Sequence, residues 1–153
     1  MQRLQMRQGA FAPKTYIYTV GVSPRGHILH WLYISHLHGL FTQAARQLQV
    51  DLEWKQSNKH KNTIPDATIG FQGKTYKLEV DNSTEGMRLD RVAGKVDADT
   101  LIVAFKSEER FRNLSTLGGL ATWHGYFHDQ EESGFNILSA PVWWNGNEWI
   151  ALL

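Results

Sequence analysis

The apolar residues of this chain recur with two different periods, which predict helices and strands in alternation. From residue 28 to residue 48 they recur at steps of three and four, as in an amphipathic helix with a broad buried stripe. Residues 50–55 alternate between apolar and polar, which is typical of a half-buried strand. Residues 66–71 and 75–80 predict two further strands, joined by a tight turn at Gln72-Gly73.

The remaining apolar runs extend this order in both directions. A short strand is predicted at residues 15–20, before the long helix. After the third central strand, Ser83 or Thr84 is expected to cap a second helix that runs to about residue 96. The run TLIVAF at residues 100–105 predicts a strand covered on both faces. The C-terminal third is predicted to hold a helix at residues 107–117, a strand at 135–139 and a hairpin at 142–152 that turns at Asn145-Gly146.

Together these elements predict an α/β fold, a mixed-sheet sandwich with helices packed on the sheet. The chain has 153 residues, and no repeat, low-complexity tract or Pro/Gly-rich linker divides it, so one domain is expected over residues 1–153. Within it, residues 28–106 form the predicted core in the order helix, strand, strand, strand, helix, strand. Residues 1–22 form an N-terminal strand or arm, and residues 107–153 form a C-terminal extension of helix and hairpin.

Composition excludes several classes of protein. Hydrophobic residues make up 42% and charged residues 20%, which is typical of a globular chain. The absence of cysteine excludes disulfides, thiolate zinc sites and cysteine nucleophiles. No apolar run reaches the roughly 20 residues of a membrane-spanning helix, and the first residues lack the apolar segment of a secretory signal. A cytoplasmic location without membrane contact is therefore expected.

The net charge of +1 excludes a strongly cationic DNA-coating protein but leaves room for a local basic patch. One such patch lies in the loop after the first central strand, and its lysines are candidate DNA contacts: Lys55, Lys59 and Lys61. The alternative is an ordinary solvated loop.

The candidate chemistry lies on the central hairpin. Pro65-Asp66 opens one strand, and Glu79 and Asp81 lie near the end of the next. Because side chains alternate along a strand, Lys77, Glu79 and Asp81 are predicted to share one face, and the hairpin can bring Asp66 beside it. Converging carboxylates suit Mg²⁺ or Mn²⁺, and such an ion could support phosphodiester cleavage. The alternative is a set of solvent-facing acids.

This order of a Pro-Asp pair, a hairpin and a glutamate resembles the PD-(D/E)xK nuclease fold. The wider sequence, YIYTVGVSPRGHILHWLYISHLHGL with PDATI, YKLEVDNSTE and RLDRVAGKVD after it, is similar to the replication-relaxation family of plasmid proteins. The resemblance implies that Asp66 and Glu79 bind the metal and that Asp81 supports it. The nuclease motif has lysine where this chain has Asp81, so Lys95 or Lys77 would contact phosphate instead. Family members usually begin with a winged helix-turn-helix, of which only the last strand fits in residues 1–20.

Histidine and tryptophan add two smaller predictions. None of the seven histidines forms a His-Glu-x-x-His pattern, so core or surface roles are expected rather than structural zinc. Residues 122–128 are aromatic enough to stack on bases, although packing at the end of the sheet is the more common role. Trp143 and Trp144 must face opposite ways in a strand, which places one outside the main core and predicts a homodimer contact.

The sequence therefore predicts a DNA-processing protein of a plasmid or other mobile element, acting as a divalent-metal-dependent endonuclease or nickase. Its expected partners are DNA and other replication or mobilisation proteins. The alternative is a catalytically inactive DNA-binding or protein-assembly module on the same fold. A pure protein-interaction domain is a third interpretation, for which the tryptophan-rich C-terminal segment is the only indication.

Overall fold

The computed structural model describes residues 2–6, 15–19, 28–57, 64–82, 89–128 and 134–153. Two sheets are present in this part of the chain. The smaller sheet is an antiparallel pair, β1 (Gln2–Met6) and β2 (Thr15–Thr19), and β2 lies at the predicted N-terminal strand. The rest of the described chain belongs to an α/β unit with a seven-stranded mixed sheet, as the sequence predicted at the level of fold class.

The elements of this larger unit follow the predicted order through its centre. They are α1 (Ile28–Leu48), β3 (Glu53–Gln56), β4 (Ala67–Phe71), β5 (Lys74–Asp81), α2 (Leu89–Ala93), β6 (Thr100–Ala104), α3 (Glu108–Leu114), β7 (Leu120–Trp123), α4 (His124–His128), β8 (Trp143–Trp144) and β9 (Trp149–Ile150). The sheet order is the chain order from β3 to β9. Strand β4 is antiparallel to both neighbours, whereas β5, β6 and β7 are parallel and are connected through α2 and α3. Strands β7 to β9 extend the same sheet, so the predicted C-terminal extension continues the core.

Helix α1 occupies the predicted residues and packs its apolar stripe on one face of the sheet. Leu37 and Phe41 are fully buried there with Leu78 and Leu101 from the strands. A smaller cluster lies on the opposite face, where Ile102 and other strand residues pack against apolar side chains around α2 and α3. All five residues of β6 are buried, which confirms the predicted strand with both faces covered.

The turn between β4 and β5 sets the register of the central hairpin. Gln72 and Gly73 have φ angles of 48° and 74°, the pair of positive values that a type I′ hairpin turn requires. This turn pairs Ala67 with Leu78. The residue before β4, Asp66, therefore lies at the position across from Glu79.

In the C-terminal third, one predicted strand does not form and one strand that does form was not predicted. Residues 135–139 form a turn rather than a strand, because the Asn136 carboxamide oxygen accepts hydrogen bonds from the backbone N–H groups of Leu138 and Ser139. Strand β7 was not predicted, since its four residues come directly after a Gly-Gly pair. Gly119 allows this strand to begin beside β6, because a Cβ there would lie 2.7 Å from the Thr100 carbonyl oxygen.

The predicted second helix ends early, at Ala93, and its expected caps Ser83 and Thr84 lie outside the described residues. The third helix also ends early, at Leu114. The turn at Asn145-Gly146 is confirmed: Gly146 has a φ of 97° between β8 and β9. Among the described helices, none is long and apolar enough to cross a membrane.

The two adjacent tryptophans face opposite sides of the sheet, as predicted. Trp143 is fully buried in the larger cluster, and its indole N–H donates to the Ile137 carbonyl oxygen at 3.0 Å. Trp144 is half-buried and meets Trp149 edge to face, with ring centroids 5.4 Å apart. Trp149 in turn stacks on Phe111 and Tyr126. Trp144 thus has aromatic neighbours within the chain, and the homodimer contact stays a prediction.

Candidate functional site

Asp66 is fixed at the start of β4 by the backbone of the neighbouring strand. Its N–H donates to the Leu78 carbonyl oxygen at 3.0 Å, and the Val80 N–H donates to its Oδ2 at 2.8 Å. These two hydrogen bonds hold the carboxylate beside β5. A short polar side chain that comes after a proline and precedes a strand can make such bonds without interrupting the ladder.

His30 of α1 contacts the same carboxylate. Its Nε2 lies 2.9 Å from Asp66 Oδ1, with both side chains about one-fifth exposed. Burial lowers the pKa of His30, but the hydrogen bond to Asp66 and the negative charges of Asp66 and Glu79 outweigh it, so the pKa is raised. Sequence reasoning missed this residue, because a contact between positions 36 residues apart leaves no local pattern.

Among the acidic side chains of the described residues, Glu79 has the largest shift in pKa. The residue is only 6% exposed, and its Oε1 is buried without a hydrogen-bond partner among the described residues. Burial raises the pKa of Glu79 and the nearby charge of Asp66 raises it further. Lys95 and His30 offset part of this rise, which leaves the pKa at about 7. A carboxyl group in this state titrates near neutral pH.

Lys95 reaches this site from the segment after α2. Its Nζ lies 3.5 Å from Glu79 Oε2, so the ammonium and the carboxylate form an ion pair. Lys95 lies in the turn that ends α2, where its backbone N–H donates to the Val92 carbonyl oxygen at 2.9 Å. The structure brings Lys95, Glu79 and Asp66 together, while a catalytic role for Lys95 stays a prediction.

The other two predicted site residues have different partners. Lys77 is exposed and forms an ion pair with Asp97, so its ammonium is engaged away from Glu79. Asp81 accepts two hydrogen bonds from Arg110, from Nε at 3.0 Å and from Nη2 at 2.9 Å, and both side chains are buried. This bidentate contact engages both Asp81 oxygens, and the metal-supporting role of Asp81 stays a prediction.

The predicted basic patch is only partly within the described residues. Lys55 lies on β3 at an exposed position, directly across from Thr68 of β4. Lys59 and Lys61 lie outside the described residues. DNA contact by these three lysines stays a prediction.

The donor set at Asp66 and Glu79 fits a hard divalent cation. Glu79 Oε1 is a buried acceptor without a partner in the described chain, and a positive ion would relieve the repulsion from Asp66 that helps to raise the pKa of Glu79. No group of three or more histidine or acidic side chains in the described ranges is placed to hold a metal. Mg²⁺ is nevertheless commonly coordinated by one or two protein carboxylates, with water and substrate phosphate as its other ligands.

Comparison with known proteins adds no assignment. The chain matches no protein-family model, and searches of curated proteins and of solved structures find no match. A function for this chain must therefore be inferred from the geometry of the described residues.

Proposed function

We propose that this chain is a DNA-processing protein whose Asp66, Glu79 and Lys95 form a divalent-metal-dependent site for phosphodiester cleavage. The observation that carries the proposal is the convergence on Glu79 of a second carboxylate and an ammonium group. Glu79 Oε2 lies 3.5 Å from Lys95 Nζ, and the negative charge of Asp66 acts on the same carboxyl group. Acidic side chains whose pKa is strongly shifted by specific charged neighbours are typical of reactive sites.

Two further features support the proposal. The helix, three strands, helix and strand from α1 to β6 follow the order of the PD-(D/E)xK core that the sequence resembles. Glu79 Oε1 is also a buried acceptor that nothing in the described chain uses, and leaving such an atom unpaired costs roughly 1–3 kcal/mol. A cation bound to Glu79 Oε1 in the active protein would offset this cost.

Each residue has a distinct role in the proposed reaction. A bound divalent ion would supply a polarised water molecule and would stabilise the charge that develops on phosphate. Asp66 and Glu79 would hold that ion, and His30 would orient Asp66 through its 2.9 Å contact. Lys95 would hold a phosphate oxygen beside Glu79. Water would lose a proton to solvent as it forms the new bond to phosphorus, the bond to the leaving sugar oxygen would break, and that oxygen would take up a proton from solvent.

We propose that the substrate is DNA of a plasmid or other mobile element, in keeping with the replication-relaxation resemblance. The second candidate is a catalytically inactive DNA-binding or assembly module. One observation favours it: Asp81 occupies the position of the motif lysine, and Arg110 ties both of its oxygens into the core. If the protein is an enzyme, Lys95 must therefore take the place of the motif lysine.

A nicking assay separates the two candidates. Supercoiled plasmid is incubated with the protein in Mg²⁺ or Mn²⁺, and in parallel with EDTA. We expect nicked circles only with the metal, and their loss in Glu79→Gln and Lys95→Met. Lys77→Met is the matched control, because it removes an exposed lysine that is paired with Asp97.

Two results would count against cleavage at this site. If wild-type protein binds plasmid but leaves it supercoiled with either metal, the inactive module is the correct description. If Glu79→Gln nicks as fast as wild type, the activity does not come from Glu79.

A further inference from the structure

Two histidines that are far apart in sequence, His36 and His124, meet at the surface of the protein, and neither is a residue of the Glu79 site. His36 is exposed on α1, and His124 is the half-buried first residue of α4, directly after β7. Their Nε2 atoms lie 3.3 Å apart, and the two ring planes are inclined at 74°. The positions are 88 residues apart in sequence, so no spacing pattern could have predicted the contact.

The distance between the nitrogens suits a shared metal ion. Zinc binds imidazole nitrogen at about 2.0–2.1 Å with tetrahedral geometry, which puts two nitrogen ligands about 3.3–3.4 Å apart. The Nε2 pair already has this separation. A metal ion would take the place of the proton that the two nitrogens otherwise share.

Aromatic packing holds the His124 ring in place. His124 stacks on Phe105 with ring centroids 4.6 Å apart, and Phe105 stacks on Tyr33 at 3.9 Å. Tyr33 lies three residues before His36, about one turn along α1. The stack therefore restricts the His124 ring, which loses little side-chain freedom when an ion binds, and His36 meets this ring from an exposed position on α1.

We propose that His36 and His124 form a binding site for a divalent transition-metal ion such as Zn²⁺, Ni²⁺ or Cu²⁺. Imidazole nitrogen prefers these ions, whereas the carboxylates at Glu79 prefer Mg²⁺ or Mn²⁺. The described residues supply two ligands, so water or a donor from a bound molecule completes the coordination. The site is independent of the proposed nuclease activity.

Zinc titration of the full chain, monitored by calorimetry, tests the site. The double variant His36→Gln with His124→Phe removes both ligands but keeps an aromatic ring to stack on Phe105. Because the loss of a group that only orients a metal ligand costs 10–100-fold in affinity, the loss of the ligands themselves should weaken zinc binding by at least about tenfold. His38→Gln is the matched control, since this exposed α1 histidine stacks on Trp54 instead.

Glu79→Gln serves as the second control and separates this site from the proposed nuclease centre. Zinc affinity that survives in Glu79→Gln and His38→Gln but falls in the double variant supports the site. Affinity that is equal in wild type and the double variant, or absent in wild type, overturns it.

Nuclear magnetic resonance of the unmodified chain tests the location without any substitution. Substoichiometric Cu²⁺ should broaden the ring signals of His36, His124 and Phe105 before others. Broadening that begins elsewhere would refute the site.

Discussion

Replacing Glu79 with glutamine should stabilise the protein at neutral and alkaline pH. The pKa of Glu79 is raised from 4.5 to about 7, so the folded protein holds a proton that the unfolded chain releases. Wild-type stability therefore falls as the pH rises from about 4.5 to about 7. Glutamine resembles the protonated acid and has no such loss.

The difference between 4.5 and about 7, at about 1.36 kcal/mol for each pH unit, gives the variant an advantage of about 3 kcal/mol above pH 7. For a chain of this length, that corresponds to about 6–12 °C in melting temperature. Below pH 4.5 the advantage should be close to zero.

Thermal unfolding from about pH 4 to about pH 9, in EDTA to remove divalent ions, measures this difference. Glu109→Gln, at an exposed position of α3, is the matched control for the loss of one carboxylate. A Glu79→Gln variant that is no more stable than wild type at about pH 8 would refute the prediction, and so would an advantage that does not change with pH.

Three further predictions concern other parts of the molecule. Arg110→Met removes the arginine partner of the buried Asp81 carboxylate and should lower the free energy of unfolding in urea by about 3–5 kcal/mol; a loss below about 1 kcal/mol would contradict the buried pairing. His30→Gln should destabilise more at about pH 6 than at about pH 9, because a raised histidine pKa stabilises the fold below pH 6.5 and this contribution is lost as the pH rises through the raised value. An equal loss of melting temperature at both pH values would count against the His30 contact with Asp66. Neutralising the three patch lysines, Lys55, Lys59 and Lys61, should weaken DNA binding and flatten its salt dependence by roughly one charge per lost contact. An unchanged dependence of DNA affinity on salt concentration would show that these lysines do not contact DNA.

The parts of the fold that the sequence predicted are those that local chemistry controls. Helix α1 results from its apolar stripe, and the β4–β5 hairpin results from the turn at Gln72-Gly73. Residues 135–139 look like a strand by composition, but Asn136 bonds to its own neighbours and to α1, which a strand pattern does not reveal. Strand β7 is too short to predict from periodicity alone.

The residues of the candidate site could likewise be predicted only where local sequence controls their position. The hairpin register places Asp66 across from Glu79, so this pair could be predicted from one turn. His30 and Arg110 could not be predicted, because they reach Asp66 and Asp81 from helices 36 and 29 positions away in the chain. Asp81 alternates onto the predicted face of β5, and only the packing of α3 reveals that it pairs with an arginine.

The most direct test of the proposed site is a crystal structure grown with Mn²⁺, read by anomalous scattering. We predict one manganese peak within about 2.0–2.6 Å of oxygen atoms from both Asp66 and Glu79. The Lys95 ammonium should remain beside Glu79 in that structure. A structure with manganese bound elsewhere, or with the Glu79 carboxyl group unchanged and no ion near it at saturating Mn²⁺, would contradict the metal-dependent site.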